Sequence, residues 1–374
     1  YGTKLTGQVG KQDVGFLHVR TAATGPLAGE DFTVARVKRR VLQQSYVGAL
    51  YTRRASSFAG ARQTTGLDFR LATSSFRGSH NLAFSGWMMR APHAGASNAR
   101  TALGATLDYP NDRWDVRVDA FQVQRNFDPA IGFLTRNDDR RYLGHAFFGP
   151  RPRDSRLVRK FVTGTEVDVQ TDLRNTVLVR GITATLLEAQ FQSQDTVGVD
   201  LITRHRRLDA PFAISSSITL PLESQYDYRR YRVRGQTANR RTIAVGGKYE
   251  WGGFYSGTRR QAVADVTLRL RPGYLVYLHT ELNDVRLAEG HFTSNVYRVV
   301  GETQFTPFAA LVNTVQYDNV SRVMGWQSRF RWIVRPGNDI YLVYTRNWLD
   351  DPLERRLVTQ DTRLASKVLY TYRF

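Results

Sequence analysis

The feature that most constrains this chain is the repeated placement of apolar residues at every second position. From Arg113 to Val123, Trp114, Val116, Val118 and Ala120 fall on one face of an extended chain; Arg113, Asp115, Arg117 and Asp119 fall on the other. From Ala262 to Arg271, Ala262, Ala264, Val266, Leu268 and Leu270 oppose Asp265, Thr267, Arg269 and Arg271. Further on, Met324, Trp326, Phe330, Trp332 and Val334 oppose Gln327, Arg329, Arg331 and Arg335. A period of two is the signature of strands with two different faces, whereas helices repeat near 3.6. No stretch approaches the roughly 18–20 apolar residues that a membrane helix needs. That excludes a helical membrane protein but not a barrel, whose strands alternate and average out to a polar hydropathy.

Turn formers separate the runs: Tyr109-Pro-Asn-Asp, Arg271-Pro-Gly, Thr306-Pro and Arg335-Pro-Gly-Asn-Asp. Proline and glycine stand where a strand must stop. Longer polar segments lie at 22–30, 55–62, 91–97, 125–137, 207–225, 286–291 and 350–361. Short connections alternating with long ones are how outer-membrane barrels distribute their turns and loops. The expected fold is therefore all-β, a transmembrane antiparallel up-and-down β-barrel. About 21 segments read as strands, and a closed single chain favours an even number, so about 20 strands are expected, within 18–22. The surplus segment is expected near 207–220 or at the N-terminus. A soluble propeller or solenoid would also alternate, but it would show a repeated motif at a fixed period, and none is visible.

The final segment, 362–374, carries the pattern to the end. Leu364, Val368, Tyr370, Tyr372 and Phe374 share one face; Arg363, Lys367, Thr371 and Arg373 share the other. The closing aromatics suit an interfacial girdle. Tyr370, Tyr372 and the terminal Phe374 resemble the signal read by the barrel assembly machinery, which makes that machinery an expected partner during biogenesis. The alternative is an ordinary edge strand of a sandwich.

Charge looks at first like a different message. Fifty-three Lys and Arg against 33 Asp and Glu give +20. Nucleic-acid binders concentrate such charge on one element; here it recurs along the whole chain at alternate strand positions. That pattern excludes nucleic acid as a partner and fits a polar lumen, together with contact to outer-membrane lipid and lipopolysaccharide. No signal peptide is visible at Tyr1, and an exported protein needs one, so an upstream part is expected to have been removed or to lie outside this sequence. Cysteine is absent, so neither disulfides nor thiolate metal sites are available. His18, His80, His93, His145, His205, His279 and His291 are scattered, without HExxH spacing. There is no GxSxG elbow and no phosphate-cradling glycine loop. No enzyme, cofactor or metal is expected.

Three constellations are candidates for function. The segment 125–142 combines the turn formers Pro129 and Gly132 with Phe127, Phe133, Arg136, Asp138, Asp139, Arg140 and Arg141. Folded into a lumen, Arg136, Asp138, Asp139, Arg140 and Arg141 would make a constriction whose facing charges select small polar solutes; otherwise this is a surface loop. Trp251-Gly-Gly-Phe-Tyr is either a stacking platform for a sugar ring or, as favoured here, a piece of aromatic girdle with glycines relieving strain. Arg36, Lys38, Arg40, Arg229, Arg230, Arg232, Arg234, Arg329 and Arg331 either favour anions in a lumen or pair with carboxylates. On a mid-membrane lipid face each would cost roughly 2–4 kcal/mol, so alternate members are expected to face inward.

Several segments also resemble a family of bacterial outer-membrane proteins of unassigned function. In that family a periplasmic carbohydrate-binding family-9-like module precedes a C-terminal barrel. The matching residues begin with Lys4-Leu-Thr-Gly-Gln-Val-Gly, Val14-Gly-Phe-Leu, Phe32-Thr-Val-Ala-Arg-Val-Lys-Arg and Val47-Gly-Ala-Leu-Tyr-Thr-Arg-Arg. They continue with Phe127-Asp-Pro-Ala-Ile-Gly-Phe-Leu-Thr-Arg (Asp128 standing where the family tends to have Asn), then Asp138, Asp139 and Arg140-Arg-Tyr. Later matches are Tyr249-Glu-Trp-Gly-Gly-Phe-Tyr-Ser-Gly, Phe292-Thr-Ser-Asn, Val315-Gln-Tyr-Asp and Trp332-Ile-Val-Arg-Pro-Gly-Asn-Asp. The resemblance implies a barrel in the bacterial outer membrane. Residues 1–374 are expected to form that single barrel, with the upstream periplasmic module absent from this chain. It implies no reaction. The expected role is a porin-like channel or transport element for small polar solutes, anionic or sugar-like. The rival is a plugged barrel that anchors or docks a periplasmic or surface protein partner.

Overall fold

A computed structural model describes every residue except Leu27, Ser57, Ala59, 93–97, Glu354 and 372–374. Among the described residues none is helical and no helix could cross a membrane. The strands are β1 (Gly2–Val9), β2 (Gln12–Arg20), β3 (Glu30–Arg40), β4 (Tyr46–Ser56), β5 (Gly60–Phe76), β6 (His80–Arg90), β7 (Thr101–Pro110), β8 (Trp114–Val123) and β9 (Asp139–Phe148). Next come β10 (Val158–Asp172), β11 (Val177–Phe191), β12 (Thr196–Arg207), the two-residue β13 (Phe212–Ala213) and β14 (Thr219–Leu220), then β15 (Gln225–Gln236), β16 (Ile243–Phe254) and β17 (Gly257–Arg271). The series ends with β18 (Tyr274–Leu287), β19 (Gly290–Thr306), β20 (Ala309–Asp318), β21 (Val323–Arg335), β22 (Asn338–Asp351) and β23 (Arg356–Leu369).

The fold is all-β and up-and-down, the architecture of a transmembrane antiparallel β-barrel. Among the described residues, 21 strands belong to one sheet and β13–β14 form a separate hairpin. That is one strand above the expected 20 and inside the 18–22 window. The segment near 207–220 is indeed the excursion, since it holds the separate hairpin, while β1 is a sheet strand paired with β2. Several segments expected to be long loops are short, because the strands run on. β18 and β19 leave only 288–289 between them, and β22 and β23 leave 352–355. Strands of 14–17 residues such as β5, β18 and β19 exceed the 9–11 needed to span the hydrocarbon, so their ends project beyond it.

Two compact units divide the chain: unit 1 is Tyr1–Pro150, Thr163–Ala184 and Arg204–Arg207; unit 2 is Arg151–Val162, Thr185–Thr203 and Leu208–Phe374. In unit 1, neighbouring strands pair antiparallel from β1 through β9 to residues 163–172 of β10. Its connections alternate between short (10–11, 41–45, 77–79, 111–113) and mostly longer (21–29, 57–59, 91–100, 124–138). In unit 2, β15 through β23 pair the same way.

The faces divide as the alternation predicts. In unit 1, Leu67, Met88 and Leu103 are cross-strand partners on β5, β6 and β7, and they are 62%, 51% and 45% exposed. Apolar side chains this open, in a continuous row, are what a lipid-facing sheet requires. The same face of unit 2 carries Tyr231, Trp251 and Tyr249, with Tyr249 stacked on Trp251 at 5.4 Å. The opposite face of each unit carries the buried and half-buried ion pairs, such as Arg36–Asp68 in unit 1 and Arg232–Glu250 in unit 2. Local turn chemistry also agrees with the sequence. Gly273 (φ 83°) and Gly337 (φ 93°) follow Pro272 and Pro336 in two-residue turns, the type II arrangement with Pro at the second position and Gly at the third.

Candidate functional site

The polar face of unit 2 is built by alternation on β15. Arg230, Arg232 and Arg234 are two residues apart and therefore share a face, while Tyr231 and Val233 point the other way. Register places Glu250 of β16 directly opposite Arg232. The Glu250 carboxylate accepts from Arg232 Nε and Nη2 at 2.9 Å and from Arg259 Nη2 at 2.6 Å, with Arg230 Nε 2.9 Å away. Asp200 of β12 accepts from Arg234 Nε at 3.0 Å and Thr185 Oγ1 at 3.0 Å, with Arg232 Nη1 at 3.5 Å. Glu188 takes Arg234 Nη1 at 2.6 Å. The chain continues from Arg259 to Gln261, which donates to Glu281 at 2.6 Å. Four arginines (230, 232, 234, 259) thus face four carboxylates (188, 200, 250, 281), for no net charge. The Asp200 and Glu250 side chains are only 2% exposed, a depth that ionised groups tolerate only when fully paired.

Beside this network lies an open groove of about 640 Å³, lined among others by Arg234, Lys248, Asp265, Tyr277 and Gly246. Gly246 faces Asp265 in the register and leaves the groove floor without a side chain. Asp265 accepts from the Tyr277 hydroxyl and lies 2.7 Å from His279 Nδ1. Lys248 makes no hydrogen bond or ion pair among the described residues. Of the arginine set, Arg36 grips Asp68 with both Nη atoms at 2.5 and 2.7 Å, and Arg40 and Lys38 share Asp13. Arg331 pairs with Asp339 at 3.2 Å. Seven of the nine (36, 38, 40, 230, 232, 234, 331) therefore have carboxylate partners; Arg329 joins the polar face, and Arg229 lies on the other.

A hairpin rests on the polar face at one end of unit 2. Ile218 and Leu220 are buried with Val285 and Leu287 and packed by Tyr226, Phe254, Tyr255 and Phe292. The Trp251-Gly-Gly-Phe-Tyr segment is consequently split. Trp251 joins the exposed aromatic face as expected, but Phe254, an even number of residues from Glu250, falls on the polar face by alternation, and it holds the hairpin together with Tyr255 of the following turn. A Cβ at Gly252 (φ 135°) would stand 2.4 Å from the Arg229 carbonyl oxygen, so only glycine fits.

In unit 1 the segment 124–138 folds back onto the polar face of its own sheet. Phe127 is buried with Ala91, Ala102 and Val123, against Trp87, Met89 and Phe121. The Ala130 amide donates to Thr64 Oγ1 at 2.9 Å and Asp128 pairs with Arg62. The five charges proposed for a constriction do not converge. Asp138 (φ 60°) is held by Arg125 at 3.0 Å, and Arg136 is half-buried within the loop. Asp139 and Arg141 share the polar face, where Asp139 accepts from Gln170 and Arg141 is doubly bonded to Asp168. Arg140, one residue between them, points to the opposite face and binds Gln122 and Asn175. Of the terminal signal, Tyr370 is 73% exposed, while Tyr372 and Phe374 lie outside the described residues.

Sequence reasoning missed Asp200 and Glu250 as the anchors of the polar face. A signal existed: Glu250 stands between Tyr249 and Trp251, and two large lipid-facing aromatics leave the residue between them no direction but inward. No protein-family model matches the chain, and no curated protein matches it in sequence. Among solved structures it is similar to the ferric-catecholate import receptor Fiu from E. coli K12 in its open form. That likeness has a TM-score of 0.41 at 9% identity, over 98% of this chain and 73% of that one.

Proposed function

We propose that this chain is a non-enzymatic transport element of the bacterial outer membrane that passes small polar solutes along its polar face. The observation that carries the reading is the groove of about 640 Å³ in unit 2. It lies beside a charge network whose arginines and carboxylates cancel. Paired charges present hydrogen-bonding edges without a strong net field, which favours sugar-like solutes over tight anion selection. Lys248, which makes no hydrogen bond or ion pair among the described residues though it lies in the same cross-strand row as Glu281, supplies a modest anion preference. Tyr370, Tyr372 and Phe374 would engage the assembly machinery, and outer-membrane lipid and lipopolysaccharide would surround the apolar face.

The test is conductance of the purified chain in planar bilayers. Discrete, salt-dependent openings with weak anion preference, shifted toward cations by Lys248→Glu, support transport. A silent bilayer with correctly folded protein sinks it. A second reading rests on the docked hairpin at Ile218 and Leu220 and on the segment 124–138: a plugged barrel that serves as an anchor or docking platform for a periplasmic or surface partner. Silence of the native chain that gives way to openings after Leu220→Ala or Phe127→Ala favours that alternative; silence that persists after both contradicts these segments as the plug.

A further inference from the structure

Among the arginines on the apolar, lipid-facing side that make no hydrogen bond or ion pair among the described residues, two pairs stand at matching positions: Arg53 with Arg90 in unit 1, and Arg229 with Arg260 in unit 2. Register gives the two pairs the same geometry. In unit 2, Tyr231, Trp251 and Arg260 form one cross-strand row on β15, β16 and β17, and Arg229 lies two residues from Tyr231 toward the 208–224 connection. In unit 1, Tyr51, Thr65 and Arg90 form the row on β4, β5 and β6, and Arg53 lies two residues from Tyr51 toward 57–59. Two strand spacings and two residues of rise put the Cα atoms of each pair about 12 Å apart, a gap that two extended guanidinium side chains close from either side.

Such placement is tolerated only where polar groups can meet the charge. An arginine on the lipid face costs roughly 2–4 kcal/mol at mid-membrane and little near the interface, where tyrosine and tryptophan concentrate. In each pair one arginine (Arg260, Arg90) is level with such a tyrosine and the other (Arg229, Arg53) lies two residues loopward of it, which puts both pairs at headgroup depth. The nearby acid is already engaged: Asp284, opposite Arg260, is bonded by His291 at 2.6 Å and Arg286 at 3.3 Å. In unit 1 this end carries the longer connections, which in outer-membrane barrels face the cell exterior. A planar guanidinium fork matches phosphate oxygens.

We infer that Arg229 with Arg260, and Arg53 with Arg90, are two sites for the phosphate groups of an outer-leaflet phosphorylated glycolipid of the lipopolysaccharide type. Each pair clamps one phosphate from both sides while the adjacent aromatic row packs against the acyl chains below it. The inference does not depend on whether the chain conducts solutes.

Native mass spectrometry of the full chain in detergent tests this with three probes: bisphosphorylated lipid A, the same lipid with its phosphates removed, and phosphatidylglycerol. Retention of up to two bisphosphorylated lipids is expected. Arg229→Gln/Arg260→Gln should remove one with a roughly 10- to 30-fold loss of affinity, and Arg53→Gln/Arg90→Gln should remove the other. Arg298→Gln/Arg329→Gln, the same charge change on the polar face, should leave retention intact, and unchanged heat-modifiable migration checks that each variant is folded. Equal retention of the dephosphorylated lipid, equal competition by phosphatidylglycerol, or indifference to the lipid-face substitutions would overturn the assignment.

Discussion

Glu250 holds three guanidinium groups with one carboxylate, and this makes it the most consequential single side chain of the polar face. Removing it leaves Arg230, Arg232 and Arg259 repelling each other in a nearly dry position. Taking one partner from a buried charge network typically costs about 3–5 kcal/mol, so Glu250→Gln should destabilise unit 2 by that order, read as a shift of the urea midpoint in lipid vesicles. Lys248→Gln, which breaks no pair, should shift it little. A pH effect belongs at the same scale. Asp195, in the turn between β11 and β12, accepts from Ser193 Oγ at 2.8 Å, the Ala238 amide at 2.7 Å and Arg241 Nη2 at 2.5 Å. These partners, Ser193 foremost, hold its carboxyl below the usual carboxylate value. A depressed pKa means the contribution is complete above the unfolded-state value near 4 and fades as pH falls through the lower folded value. The link between this turn and 237–242 should therefore loosen in acid. Hydrogen exchange at the Ala238 amide should be slow at pH 6 and accelerate beyond the intrinsic rate change below about pH 4, and Asp195→Asn should remove that acid-dependent part.

At the scale of elements, the hairpin is the part whose removal changes most. Leu220 is fully buried against Val285 and Leu287. Leu220→Ala costs about 2–5 kcal/mol by transfer and cavity, more than a two-strand hairpin supplies by itself, so the segment 208–224 should undock. Limited proteolysis within 209–217 should become rapid, and single-channel conductance should rise where the docked hairpin narrows the path. The strands themselves were legible in the sequence: the run at Ala262–Arg271 lies within β17 with its faces as expected, and Pro272-Gly273 makes the predicted turn. The charge pairing was not legible. Arg36 and Asp68 are 32 residues apart, and Arg234 and Glu188 are 46 apart; such pairs are fixed by inter-strand register, which alternation leaves free. Equally hidden was the split of the 125–142 set, because the strand begins at Asp139 and alternation then sends Arg140 away from Asp139 and Arg141. The inward direction of Phe254 follows from its sharing a face with Glu250, whereas the contact of Phe254 and Tyr255 with the hairpin was hidden, because composition alone did not place that hairpin.

For the molecule as a whole, the account stands on one division: apolar side chains to lipid, paired charges to the opposite face. That division explains +20 without nucleic acid, and it explains why large residues such as Leu67 and Leu103 stay exposed in a stable sheet. Leu103→Arg should destabilise the membrane-inserted protein by about 2–4 kcal/mol, whereas a substitution of Gly104, one residue away, is limited instead by contact with Trp87. The most direct test uses the absence of cysteine in the native chain. Single cysteines introduced along 101–109 and 260–268, carrying a nitroxide label in lipid vesicles, report contact with oxygen in lipid or with a water-soluble nickel chelate. The account predicts strict alternation, with oxygen contact highest at 103, 105, 107, 262, 264, 266 and 268 and chelate contact or burial between them. A uniform profile, or chelate access at Leu103 and Leu107, would contradict a membrane-spanning sheet.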